Sequence, residues 1–168
     1  RRPVVPRYAR PAAGRRAADS PAAQAGLAYI RRLPNQHVYT TSLKVMALAK
    51  TNRAEDRPFV REAGIWLANA QNHTGLWSYT PGGDRFDHSN SQFALLGLHA
   101  AAEAGVNIPR AVWQRAQAHV LQTQTRDGGW TYQALGESYG SMTAAGVTDL
   151  LVLGTRLHFG QESGFVRG

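Results

Sequence analysis

Gln71-Asn72-His73-Thr74-Gly75-Leu76-Trp77 and Gln124-Thr125-Arg126-Asp127-Gly128-Gly129-Trp130 share one pattern, Gln-x3-Gly-x-Trp, at a spacing of 53 residues. Each copy stands between two segments of helical character. A repeat of that length, with its turn residues at a fixed place, predicts stacked helical hairpins. Outward from the two copies the chain reads as six helical segments. The first runs from Pro21, capped by Ser20, to Leu33, where Pro34 and Asn35 end it. The second covers about Thr41 to Ala49, and the third starts near Pro58. The fourth follows the Asp87-His88-Ser89-Asn90 cluster, reaches Ala102 and stops at Gly105. The fifth begins at Pro109 and the sixth covers Met142 to Leu157.

Periodicity separates these segments into two kinds. The third shows Phe59, Ala63, Trp66 and Ala70 on one face, and the fifth shows Val112, Ala116 and Val120, with polar residues opposite. Such helices meet water on one side. The second, fourth and sixth are apolar almost all round, which predicts burial on every side. Inner helices alternating with outer ones describe an all-α fold: a partial α/α toroid of about three consecutive hairpins. Trp77 to Thr80 and Trp130 to Tyr132 are short enough to be extended pieces between helices.

The residues resemble the prenyltransferase and squalene-cyclase repeats, whose Gln-Trp motif has this form. The fuller motif places an aromatic-Leu pair five residues before the Gln. Trp66-Leu67 stand there in one copy, and His119-Val120 in the other, a departure at the aromatic position. Tyr29-Ile30 followed by Pro34 is a degenerate first copy. Tyr39-Thr-Thr-Ser-Leu43, Asn90-Ser-Gln-Phe-Ala-Leu-Leu-Gly97 and Gly140-Ser-Met-Thr-Ala-Ala-Gly146 are similar to the family's inner helices, and the resemblance covers about residues 22–157.

Gln71, Gly75, Trp77, Gln124, Gly128 and Trp130 read as architecture. A carboxamide both donates and accepts, so a Gln at the end of an outer helix is expected to bridge its unpaired carbonyls to the N–H groups opening the next helix. Gly permits the positive φ that reverses the chain. Trp is expected to cover the Gln and exclude water. The resemblance implies the same role, a tie between repeats.

Charge adds little about function. The net charge is +8, but residues 1–20 hold six arginines against Asp19 alone, so five of the eight charges sit there. With Pro3, Pro6 and Pro11 this stretch reads as a disordered linker; residues 21–160 form the repeat domain and 161–168 a tail. The charge predicts no specific nucleic-acid partner. No apolar run reaches the roughly 18 residues of a membrane span. The chain opens on Arg1 rather than Met and reads as a piece of a longer product, whose compartment the sequence leaves open.

Candidate chemistry is sparse. Asp84, Asp87 and His88 lie together ahead of the fourth helix, and an Asp beside a His suits general acid–base work. The competing reading is a helix start in which Ser89 or Asn90 caps the helix and Asp87 favours its positive end. Asp149, within an apolar helix, needs a partner or a raised pKa. Asn90, Gln92 and Tyr139 are candidate cavity-lining residues. The six histidines show no ligand spacing, so no metal and no cofactor is expected.

The acidic Asp-x-Asp-Asp stretch of squalene-type cyclases has no match here, and the zinc site of protein prenyltransferases needs a Cys that is absent. The resemblance implies about six hairpins in a full ring, twice the number visible. The expected function is therefore a noncatalytic binding or assembly module of a larger bacterial protein. Its expected partners are the rest of the toroid, from missing sequence or a second copy, and an apolar ligand in the concavity. The alternative is a fragment of a class II terpenoid cyclase whose acid lies outside this chain. A toroid carbohydrate-active enzyme using Tyr139, His88 and Arg85 is the third reading.

Overall fold

A computed structural model describes residues 18–83, 87–133 and 136–158. The proposed linker at 1–17, the tail at 161–168 and the candidates Asp84 and Arg85 lie outside them. The described residues hold six α-helices and no strand: α1 Pro21–Arg32, α2 Val38–Thr51, α3 Arg57–Asn69, α4 His88–Glu103, α5 Arg110–Gln122 and α6 Gly140–His158, with a 3₁₀ turn at Ala54–Asp56. Contacts divide the chain into two compact units, Arg1–Leu33 and Pro34–Gly168.

In the first unit, Ser20 accepts the Ala23 N–H and Pro21 occupies the first turn of α1, as its sequence predicts. Arg31 and Arg32 sit at the negative end of that helix.

The second unit has an inner layer, α2–α4–α6, in which each helix packs on the next. On it lie the amphipathic α3, against α2 and α4, and α5, against α6. The core is the seam between the layers. Val45, Leu48, Leu67, Leu95, Leu98, Ala116, Val120 and Leu153 are all completely buried in it. Fully burying side chains of this size contributes about 1.5–3 kcal/mol each, which offsets the ordering of the backbone. Among the described residues, no helix is long and apolar enough to cross a membrane.

Two details differ from the sequence expectations. First, α2 opens at Val38 rather than Thr41, because the Val38 N–H is satisfied by the Tyr79 carbonyl at 2.9 Å, a partner far along the chain. Second, Asp87 itself is the cap of α4, accepting the Asn90 N–H at 2.6 Å, and Ser89 and Asn90 lie inside the helix. A carboxylate caps better than a hydroxyl beside the positive helix end, so the acid takes the position. The backbone of the segments after the two motif tryptophans pairs with helix starts: the Tyr132 carbonyl accepts the His88 N–H at 3.0 Å, as Tyr79 does for Val38.

Candidate functional site

The two Gln-Trp segments share the same internal hydrogen bonds. Each Gln donates its Nε2 hydrogen to the carbonyl of the motif glycine at 2.8 Å, Gln71 to Gly75 and Gln124 to Gly128. Each Trp is buried and donates its indole N–H to the carbonyl ten residues earlier, Trp77 to Leu67 at 2.8 Å and Trp130 to Val120 at 2.9 Å. These are carbonyls in the last turn of the outer helix, and each accepts a second, local bond, Leu67 from the Ala70 N–H and Val120 from the Thr123 hydroxyl, both at 3.2 Å. Each motif glycine has positive φ, 93° at Gly75 and 86° at Gly128.

The wiring differs from the expected bridge. Gln71 also donates to the Val112 carbonyl in the first turn of α5, at 2.9 Å, and its Oε1 accepts from the Arg115 guanidinium at 3.0 Å. The tie to the next outer helix thus runs to a carbonyl and a side chain, not to backbone N–H groups. The last-turn carbonyls are served by the indoles, and burial of the indoles over the layer seam is what dries the junction.

A third member of the junction has no signature in the motif itself. The backbone N–H of Trp77 donates to Ser91 Oγ at 3.0 Å, and that of Trp130 to Thr143 Oγ1 at 3.2 Å. Ser91 and Thr143 are each the fourth residue of their inner helix, and the fourth residue of α2 is Thr41. Its hydroxyl is buried without a hydrogen-bond partner. The degenerate first copy supplies no Trp N–H to it. A hydroxyl recurring at one register of three apolar helices was the available signal, masked by the abundance of Ser and Thr at helix starts.

His119 replaces the motif's aromatic residue. It is half-buried, hydrogen-bonded to the Thr74 backbone, and close enough to His88 for their charges to interact. Burial lowers the His119 pKa, against the effect of that bond. The departure from the motif therefore joins the last turn of α5 to the preceding repeat's turn.

The same comparison of turns yields a prediction. A Cβ on Gly75 would lie 2.5 Å from the Arg115 carbonyl oxygen, whereas one on Gly128 would meet no described atom within 4 Å. Gly128→Ala is expected to cost only the left-handed backbone penalty, about 1–2 kcal/mol. Gly75→Ala should cost distinctly more, because α5 must also retreat. Equal losses in urea titrations of the two variants would count against the close repeat contact.

The candidate acid–base residues are placed as follows. Asp87 is buried as the cap of α4; burial raises its pKa, opposed by the Asn90 N–H and the Tyr132 hydroxyl. Tyr132 in turn shares a 3.0 Å hydrogen bond with Tyr79, which raises its own pKa further from neutrality. His88 is buried and held neutral, its pKa lowered to about 4 by burial and by His119. The exposed Tyr79–Tyr132 pair thus ends on a buried cap, not on a cavity acid. Asn90 is buried with neither amide atom hydrogen-bonded, while Gln92 is half-buried and Tyr139 exposed.

Asp149 lies elsewhere, in the middle of α6. It is 0% exposed, neither carboxylate oxygen has a hydrogen-bond partner, and burial pushes its pKa up to about 8. At neutral pH it is a protonated core residue. Asp127 is the opposite case. Exposed in the second motif turn, it accepts from Ser138, Thr125 and the Gly129 N–H, and these bonds hold its pKa down to about 2. It shapes the turn. Among the described residues no three His, Asp or Glu side chains are grouped as a metal site.

These paired junctions and alternating layers agree with the sequence comparisons. Residues 22–137 match the profile of the squalene-hopene cyclase C-terminal domain. A squalene–hopene cyclase of Bradyrhizobium diazoefficiens is 29% identical over 129 residues, which cover 64% of this chain and 19% of that protein. The chain thus spans about a fifth (19%) of the length of the curated relative it matches. No solved structure gives a significant match. The profile covers both Gln-Trp segments and helices α2 to α5, well over half of the chain, so this all-α partial toroid belongs to the family of squalene-hopene cyclase C-terminal domains.

Proposed function

We propose that the chain is a noncatalytic wall module: it supplies apolar surface to a toroid, and no acid. The observation that carries this reading is the chemistry of the inner helices where outer helices leave them uncovered. Tyr39 of α2 and Phe93 of α4 meet across the layer as a tilted pair, with ring centroids 4.4 Å apart and ring planes at 58°. Met46 and Leu96, at matching positions of the two helices, are partly exposed. Large apolar side chains left partly in water mark a surface that awaits a ligand or a further protein layer. The inner-layer carboxylates support the same reading through their own placement: Asp87 is engaged as a cap, Glu103 pairs with Arg156, and Asp149 is sealed in the core. The partners of such a wall are the remaining hairpins of the ring and an apolar molecule within it.

Binding of cis-parinaric acid, an apolar polyene whose fluorescence rises on leaving water, tests the ligand arm. Saturable enhancement is expected, weakened at least tenfold by Tyr39→Asp with an unchanged far-ultraviolet spectrum. Absence of saturable binding, or equal binding by the variant, would overturn it. The relative's name favours a second reading, a fragment of a terpenoid cyclase whose protonating acid lies in other sequence. Turnover of squalene by the longest product containing this chain would establish that reading instead.

A further inference from the structure

Helix α6 is fastened at two places of different chemistry. In its first half, Trp130 lies on Gly146 and donates its backbone N–H to Thr143 Oγ1, contacts in which no titrating group takes part. Near its end the fastening is a single guanidinium. Arg156 donates its Nε–H to His99 Nδ1 at 2.9 Å. Its Nη2 donates to the His99 carbonyl at 3.2 Å and to Glu103 Oε1 at 2.5 Å. All three acceptors belong to α4. The Arg156 side chain is only 18% exposed, and Leu153 and Leu157 on the same part of α6 are buried.

Of these acceptors the imidazole is the group that titrates between pH 5 and 8. A ring nitrogen that accepts a hydrogen bond carries no proton, so His99 is neutral with its hydrogen on Nε2. A proton added at Nδ1 turns that acceptor into a donor and sets a second cation against the guanidinium. The Nε bond is then lost, and like-charge repulsion opposes the two that remain. Burial lowers the His99 pKa, Arg156 lowers it further, and Glu103 works against both. Those two neighbours set its electrostatics. Lys44 and Lys50 of α2, Arg57, Arg61 and Glu62 of α3, and Asp149 and His158 of α6 lie on the helices packed against α4 but do not act on it.

We propose that the Arg156–His99 contact is an acid-released latch: protonation of His99 frees the end of α6 from α4 while the first half of α6 stays fastened. The sign follows from the two states. In the opened state His99 titrates at its ordinary 6.5, above its value in the closed state. The latch is therefore fully held above pH 6.5 and weakens as the pH falls below it.

Hydrogen–deuterium exchange of residues 1–168 at pH 7.5 and pH 5, with labelling times scaled to the intrinsic exchange rate, provides the test. In the wild type, residues 151–158 are expected to lose about fivefold or more protection beyond the loss at 145–149, since each pH unit below 6.5 contributes up to about tenfold. His99→Asn sets a non-titrating oxygen at the place of Nδ1 and should abolish that excess. Arg156→Gln should leave 151–158 weakly protected at both pH values. Equal losses in the two segments of the wild type would mean a general acid effect and overturn the latch. So would a wild-type excess that persists in either variant, and the two variants are read independently should one fail to fold.

Discussion

Trp130→Ala is expected to lower stability by about 3–5 kcal/mol, the usual cost of emptying a large buried aromatic site. In a domain of this size that is a fall in Tm of at least about 6 °C. Three contacts set the size of the effect. The indole is 1% exposed. It lies directly on Gly146 of α6, where an added Cβ would sit 2.3 Å from the ring. Its N–H also holds the Val120 carbonyl at the end of α5. Alanine opens a cavity between the layers and takes the indole donor from the Val120 carbonyl, which keeps only the longer bond from the Thr123 hydroxyl at 3.2 Å, and the second loss adds to the first. Trp130→Phe separates them, because it keeps most of the volume and removes only the donor. Thermal melts followed by circular dichroism should rank wild type above Phe above Ala. An unchanged melting temperature in the alanine variant would show that the motif does not fasten the repeats.

Asp149→Asn is expected to act in the opposite direction and to change the shape of the pH profile. Burial places the native pKa of Asp149 near 8, against an ordinary carboxylate value of 3.8. Between those values the native state holds a proton that the unfolded state has released, so stability falls as pH rises from about 4 to about 8. At pH 7 the accumulated loss approaches about 4 kcal/mol, at 1.36 kcal/mol for each pH unit between the two pKa values. The amide carries no proton to lose, and Asp149→Asn should recover most of that amount at neutral pH.

His88 contributes with the other sign. Its native pKa is lowered to about 4 from 6.5, so the unfolded state binds the extra proton and stability falls as pH drops from about 6.5 to 4. Burial lowers His99 and His119 as well, which deepens that acid-side loss. The wild type should therefore be most stable near pH 6 and weaken toward pH 8. Asp149→Asn should remove the alkaline decline and keep the acid one. Urea titrations at pH 5, 6.5 and 8 measure both. A variant with the wild-type decline between 6.5 and 8 would show that Asp149 is not the protonated group.

Much of this was legible in the chain. The repeated Gln-x3-Gly-x-Trp, the amphipathic third and fifth helices and the apolar second, fourth and sixth already required two layers of helices. The buried acid in the sixth was visible as a misfit. What escaped the sequence involved groups brought together from different repeats. The Val38 N–H finds its partner on Tyr79, Ser91 serves Trp77, and Gln71 reaches Val112 and Arg115. The cap of α4 also went to Asp87 rather than to Ser89 or Asn90.

By itself, the sequence determined an all-α repeat with outer and inner helices, because periodicity and turn chemistry are local and act through each segment's own hydrogen bonds and apolar faces. Only the tertiary structure decided what the individual polar residues do. Asp87 became a cap, Asp149 a sealed neutral acid, and Gln71 a closed tie while Gln124 stayed half-made. Those outcomes depend on which neighbouring repeat lies within hydrogen-bond reach, and on how much water the packing excludes, and neither is a property of the residue or its sequence neighbours.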